Sequence, residues 1–253
     1  MPMSTESNAP HPWPYPSHDS PDVARLQSRL PPLLSVAAGM VDVIGFLSLG
    51  KLFTAHVTGN LVMIAALLVR GGPPNMAQIL AVPVFIGAVG AVWLIAKAFD
   101  RRGLALARPL LLVQCLLLTC VLIVSAIYNP AAHPHGLMAG VAAMACQFAL
   151  LRLAVPGAPS TTVMTGNVTN TVLSLLDTLS RSEPLMEGAN ERLKKTLELV
   201  VGFFAGCIAG AAAVSWLREW AWSLPVVLAG VAVALVPGRL GCIRVMSGRS
   251  DMP

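Results

Sequence analysis

Charged side chains are scarce in this chain. Asp, Glu, Lys and Arg together make up 11% of its residues, under half of the roughly 25% found in soluble domains, and that shortage excludes a water-soluble globular protein. Paired carboxylates, His-x-x-x-His or Glu-x-x-His spacings on an apolar span, and a nucleophile with an obvious base are all missing, so an enzyme is not expected. Cysteine is limited to Cys115, Cys120, Cys146, Cys207 and Cys242, an odd number without metal-ligand spacing, each in or beside an apolar segment. These read as small packing residues, and neither a metal nor any other cofactor is expected. The formal charge of +5 does not point to nucleic acid, because the basic residues sit in short loops beside apolar stretches, the distribution that orients membrane proteins.

Apolar surface is what the chain has in abundance. Hydrophobic residues make up 55% of it and the mean hydropathy is +0.71, values that describe a multi-pass membrane protein surrounded by lipid. Residues 1–30 are rich in Pro, Ser and His and carry no apolar run. They read as a disordered cytosolic tail rather than a signal peptide, and residues 31–253 as one membrane domain.

Apolar segments lie at about 32–50, 57–69, 76–97, 108–128, 137–154, 162–179, 196–217 and 221–237. Six are long enough to span. The other two open at a repeated tripeptide, Thr58-Gly59-Asn60 and, 107 residues later, Thr165-Gly166-Asn167. Thr58 to Val69 covers only about 18 Å as a helix, against a hydrocarbon core of about 30 Å, so each such segment reads as a half-helix in a re-entrant hairpin. With six spans and both termini cytoplasmic, 14 of the 17 Lys and Arg residues fall inside and only Lys51, Arg70 and Arg218 outside. Letting all eight segments span gives 10 against 7, which fits the positive-inside tendency less well. Tyr128, Trp216, Trp220 and Trp222 then sit at the outer interface, where aromatic rings are favoured. The expected fold is all-α and membrane-integral, with six transmembrane helices and two re-entrant half-helix hairpins. Three spans per half make the halves inverted repeats, 32–128 and 137–243.

That arrangement places two half-helix N-termini near the midplane, where exposed N–H groups and the helix dipole favour an anion or a carbonyl oxygen. Thr58 and Thr165 are suited to N-cap positions. Gly59 and Gly166 allow close approach, and Asn60 and Asn167 offer amides. Asp42 is the one carboxylate near a membrane centre, with Gln147 as its counterpart in the second copy. An ionisable group at that depth is a functional candidate, unless it only accepts N–H groups at residues 58–60 and serves as glue. His56 lies two residues before the first triplet and is suited either to titration or to a local loop contact. Gly202, Gly206 and Gly210 form a small-residue stripe suited to packing within the chain.

The string AGMVDVIGFLSLGKLFTAHVTGNLV, with its later partner AMACQFALLRL…TTVMTGNVTN, resembles the YoaK family, a group of bacterial integral membrane proteins of unknown function. The resemblance runs over about residues 32–243 and is most specific at Gly39 to Asp42, at Gly45-Phe46 and at the two Thr-Gly-Asn segments. It implies the bacterial cytoplasmic membrane and supplies no substrate. Two functions are therefore expected from the residues. One is a transporter or channel for a small molecule or ion, its midplane site formed by Asp42, Gln147 and both triplets. The other is a non-transporting membrane scaffold or signalling partner. A homo-oligomer is compatible with either.

Overall fold

The computed structural model describes residues 21–71, 76–102, 105–127, 134–155, 161, 164–180 and 189–236. Every regular element among them is helical: α1 (Pro21–Ser48), α2 (Val57–Arg70), α3 (Met76–Arg101), α4 (Ala107–Ile127), α5 (Pro134–Ala154), α6 (Met164–Ser180), α7 (Ala189–Leu217) and α8 (Ser223–Leu235), with a 3-10 turn, Arg218–Trp222, joining the last two. By length and composition, four stretches can cross a membrane: Ser28–Ser48, Met76–Arg101, Ala107–Ile127 and Asn190–Leu235. The last contains both α7 and α8.

Helices α1 and α5 are the most buried, and the others pack around them. Helix α1 lies against α7 and α8, while α5 lies against α3 and α4; α2 rests on α3, α6 rests on α7, and α4 touches α8. Exchanging α1 with α5, α2 with α6, α3 with α7 and α4 with α8 maps this set of helix-to-helix neighbours onto itself. The outward faces carry large apolar side chains such as Leu68, Ile86, Leu116 and Phe204. A continuous apolar exterior of this kind belongs in lipid rather than water.

The α1–α7 crossing is built on glycine. A β-carbon on Gly39 would overlap the Phe203 carbonyl oxygen, and one on Gly206 would overlap the Val36 carbonyl oxygen, so each helix presents a bare backbone to the other. Gly210 meets the Met40 backbone, and Gly202 faces the Pro32 carbonyl. Ser35 closes the contact by donating its hydroxyl to the Leu199 carbonyl at 2.7 Å. The small-residue stripe on α7 thus packs within the chain, as expected.

Several expectations change. The tail was expected to reach residue 30, but α1 begins at Pro21 and passes through Pro31 and Pro32. Proline suits the first helical position, and the burial of Leu26 and Leu30 beside Leu34 gives this added stretch an anchor. Residues 1–20, and the end of the second repeat from residue 237, lie outside the described residues. Trp222 is fully buried, so its ring meets protein rather than lipid headgroups, whereas Trp216 and Trp220 are exposed. Its ring is held inside by packing in the core that also contains Val121, Val141 and Ala229. Tyr128 falls outside the described residues.

Candidate functional site

Helix α1 ends in a tight reversal. The Lys51 N–H donates to the Phe46 carbonyl at 3.1 Å, and Gly50 takes a left-handed φ of 69°, the arrangement of a Schellman stop with glycine just past the helix. Lys51 is left-handed as well, at φ 63°, and two such residues in succession turn the chain back on itself. Residues 52–56 then run back along α1. Gly45 makes this possible, since a β-carbon there would come within 3.0 Å of the Leu52 carbonyl oxygen and 3.1 Å of the Thr54 methyl. The returning strand reaches the level of Asp42, six residues or about 9 Å back along α1.

Asp42 holds it there. One carboxylate oxygen, Oδ1, accepts the backbone N–H groups of Thr54 (2.9 Å), Ala55 (2.8 Å) and His56 (3.3 Å). The other, Oδ2, lies 2.6 Å from Nδ1 of the His56 ring. Thr54 adds a hydroxyl bond to the Val41 carbonyl at 3.1 Å. Asp42 is buried while the His56 side chain is one-third exposed, so the pair runs from the protein interior to an accessible ring. The His56 ring also meets the Phe203 ring of α7 edge-on, with centroids 5.2 Å apart. The alternative role for Asp42, accepting N–H groups at residues 58–60, moves to the loop itself, where the carboxylate is satisfied two to six residues earlier.

The first Thr-Gly-Asn triplet is largely occupied by the same loop. Helix α2 starts at Val57, and the residue before it is His56, whose side chain does not cap the helix. Thr58 is therefore the second helical residue, not the N-cap, and its side chain is exposed. The Gly59 N–H donates back to the His56 carbonyl at 2.8 Å, while the N–H groups that Asp42 accepts belong to the loop before the helix. Asn60 is fully buried and clamps Phe53 from both sides: its Nδ2 donates to the Phe53 carbonyl at 2.7 Å, and its Oδ1 accepts the Phe53 N–H at 3.0 Å. Gly59 lies under the Phe53 ring, where a β-carbon would come within 2.9 Å. Asn60→Ala removes two hydrogen bonds and is expected to cost about 1–3 kcal/mol. Asn60→Asp should cost more, since it sets a carboxylate against the Phe53 carbonyl. Melting temperatures of the purified variants in one detergent check this order.

The second triplet opens α6 in the same way. Thr165 is the second residue of α6 and exposed, so it too is no N-cap. Gly166 is half-buried and Asn167 buried, and the Asn167 amide lies 3.8 Å from the Met164 sulfur. Gln147, the counterpart of Asp42, turns to other partners. Its Nε2 donates to the Leu34 carbonyl at 2.9 Å and its Oε1 accepts from Gln114 Nε2 at 2.7 Å. This buried amide pair joins α5 to α4 and α1. Helices α2 and α6 are not among the pairs that pack extensively on each other. The sequence-derived residues thus form one dense polar cluster around Asp42, His56 and Asn60, and a separate one around Gln147.

Phe53, Phe203 and Gln114 escaped the sequence reading, because nothing in a lone aromatic or amide in an apolar stretch announces its partner. Four buried polar atoms, Gln78 Oε1, Gln114 Oε1, Thr161 Oγ1 and Trp222 Nε1, have no partner among the described residues. Gln78 Nε2 donates to the Lys51 carbonyl at 3.0 Å, which ties α3 to the reversal after α1.

No solved structure matches this chain. A 41-residue stretch is 54% identical to the UPF0700 transmembrane protein YoaK of Bacillus subtilis (strain 168), covering 16% of this chain and 18% of that protein. The family model described as Protein of unknown function (DUF1275) matches residues 30–235, from the buried part of α1 to the end of α8, and this chain belongs to that family.

Proposed function

We propose that this protein moves a small solute or ion across the bacterial cytoplasmic membrane, as six spans and two re-entrant hairpins arranged in inverted repeats. The observation that carries the reading is the Asp42–His56 pair. It sets an accessible ionisable ring on a buried carboxylate where the chain doubles back beside a membrane helix, and ionisable groups in such places mark solute and ion pathways by default. Three further observations support the architecture. The helix neighbours are unchanged when the two halves are exchanged. Helix α2 has 14 residues, about 21 Å, which is shorter than the hydrocarbon core of about 30 Å. The Lys and Arg distribution favours six spans.

One observation favours the scaffold reading. The Asp42 acceptors and the Asn60 amide are filled by the chain's own groups, as in a structural staple. A thermal-shift screen of purified protein against anions, carboxylated metabolites and small amides separates the two, because a ligand that binds only the folded state raises its apparent stability. Stabilisation by one chemical class, followed by flux of that class into vesicles, is expected. A folded protein that none of them stabilises supports the scaffold.

The topology has its own test. Single cysteines at Gly71 and at Glu219, in a background without native cysteines, are expected to react with an impermeant thiol reagent from the periplasm, and one at Arg102 is not. Eight spans reverse the pattern at Gly71 and Arg102.

A further inference from the structure

We propose that His56 is a proton-binding site whose occupancy sets the position of the 53–56 loop and the start of α2, so that the coupling ion of this protein is the proton. The inference rests on the translocation reading above.

The geometry assigns the ring's two nitrogens different tasks. Asp42 Oδ1 is already shared by three N–H donors, and the 2.6 Å contact from Oδ2 to Nδ1 makes Nδ1 the nitrogen that faces the carboxylate. Nε2 has no hydrogen-bond partner among the described residues, and the ring is accessible. A proton from solution therefore adds to Nε2 while the Nδ1 hydrogen stays on Asp42. The pair passes from one net negative charge to a neutral ion pair, and the Nδ1 bond changes from an imidazole donor to an imidazolium donor. Both changes tighten the hold on the loop, because a buried net charge is costly and a bond charged at both ends is the stronger kind.

The surroundings make this proton hard to replace by another charge. On α1, Asp42 is the acid that faces the ring. On α7 the ring meets Phe203, and the Cys207 thiol lies within electrostatic reach of Asp42. The charged residues of α7, Glu191 to Glu198, precede Phe203, and the only charge on α2 is Arg70 at its far end. On the loop, Lys51 sits at the opposite end, beyond the reversal. The ring thus links α1 and the loop in the first half of the chain to α7 in the second. A change in its charge is felt on both sides at once.

The test uses the full chain in lipid with 15N-labelled histidine. Nitrogen NMR from about pH 5 to 8 reads the ring directly, and the His56 signals are identified by their loss in His56→Gln, whose amide N–H can still donate to Asp42. In parallel, spin labels on Thr58→Cys and Ile208→Cys, both exposed, report the distance between the start of α2 and α7. The expected result is one titration of His56, a label separation that shifts with the same midpoint, and a separation independent of pH in His56→Gln. A ring that keeps one protonation state across the range, or one that titrates while the separation stays fixed, overturns the proposal. Flux is read separately. Solute flux indifferent to pH with His56 not titrating removes the proton and leaves translocation standing, whereas a titrating, moving loop in vesicles that carry no solute leaves the switch and removes translocation.

Discussion

Asp42→Ala is expected to leave little folded protein. The substitution removes the acceptor for three backbone N–H groups, two of them buried, and the partner of the His56 ring in one step. Each orphaned buried donor costs about 1–3 kcal/mol, and their sum is a large share of a typical net stability of roughly 5–15 kcal/mol. The loop has no substitute anchor at this level, since Asn60 holds only Phe53 and the Thr54 hydroxyl holds only the Val41 carbonyl. Asp42→Asn should fall between wild type and alanine. Its Oδ1 can take the three N–H groups, but its amide then points donors at Nδ1, so His56 must carry its hydrogen on Nε2 and cannot be held as an imidazolium. Size-exclusion profiles and melting temperatures of the three proteins in one detergent check the order. Alanine matching wild type would mean that the carboxylate does not hold the loop.

Much of this arrangement was legible in the sequence, because membrane burial leaves polar residues few and each one conspicuous. Asp42, His56 and Asn60 stood out against apolar neighbours, and the structure places all three at one reversal of the chain. The short segments at 57–69 and 162–179 correspond to α2 and α6 within a few residues. What could not be read was which backbone groups the polar side chains would meet. Thr58 looked like a cap because the sequence marks a helix start only to within a residue or two, and the helix begins at Val57 with His56 before it. The two triplets looked alike, and both set their threonine second in a helix and bury their asparagine. Where Asp42 becomes Gln147 the side chain no longer offers an acceptor-only group and joins Gln114 and Leu34. Trp222 was misplaced because a tryptophan beside Trp220 and Trp216 carries an interface signal that says nothing of which ring the 3-10 turn rotates inward.

Gly39→Ala and Gly206→Ala are expected to be the most damaging changes of a single methyl group in the molecule. At both positions the added carbon meets a backbone carbonyl of the facing helix, and a backbone cannot rotate away as a side chain tip can. The helices must separate along the most intimate contact in the bundle, which also strains the Ser35 bond to Leu199 and the Phe203 contact with His56. Overpacking of this kind costs about 1–3 kcal/mol or more, and alanine's better helix propensity returns only about 0.5–1 kcal/mol. The sign should reverse where the same methyl has room. A β-carbon on Gly87 or Gly230 meets nothing within 4 Å, so Gly87→Ala and Gly230→Ala gain the propensity and lose no packing. Gly202→Ala belongs between these groups, its nearest neighbours lying at 3.4 Å. Melting temperatures for the five variants should follow that order, and the Thr58-to-Ile208 label separation should lengthen in Gly206→Ala while Gly230→Ala leaves it in place. If Gly39→Ala and Gly206→Ala melt with wild type, α1 and α7 do not cross by backbone contact, and the link from His56 to the second half of the chain goes with it.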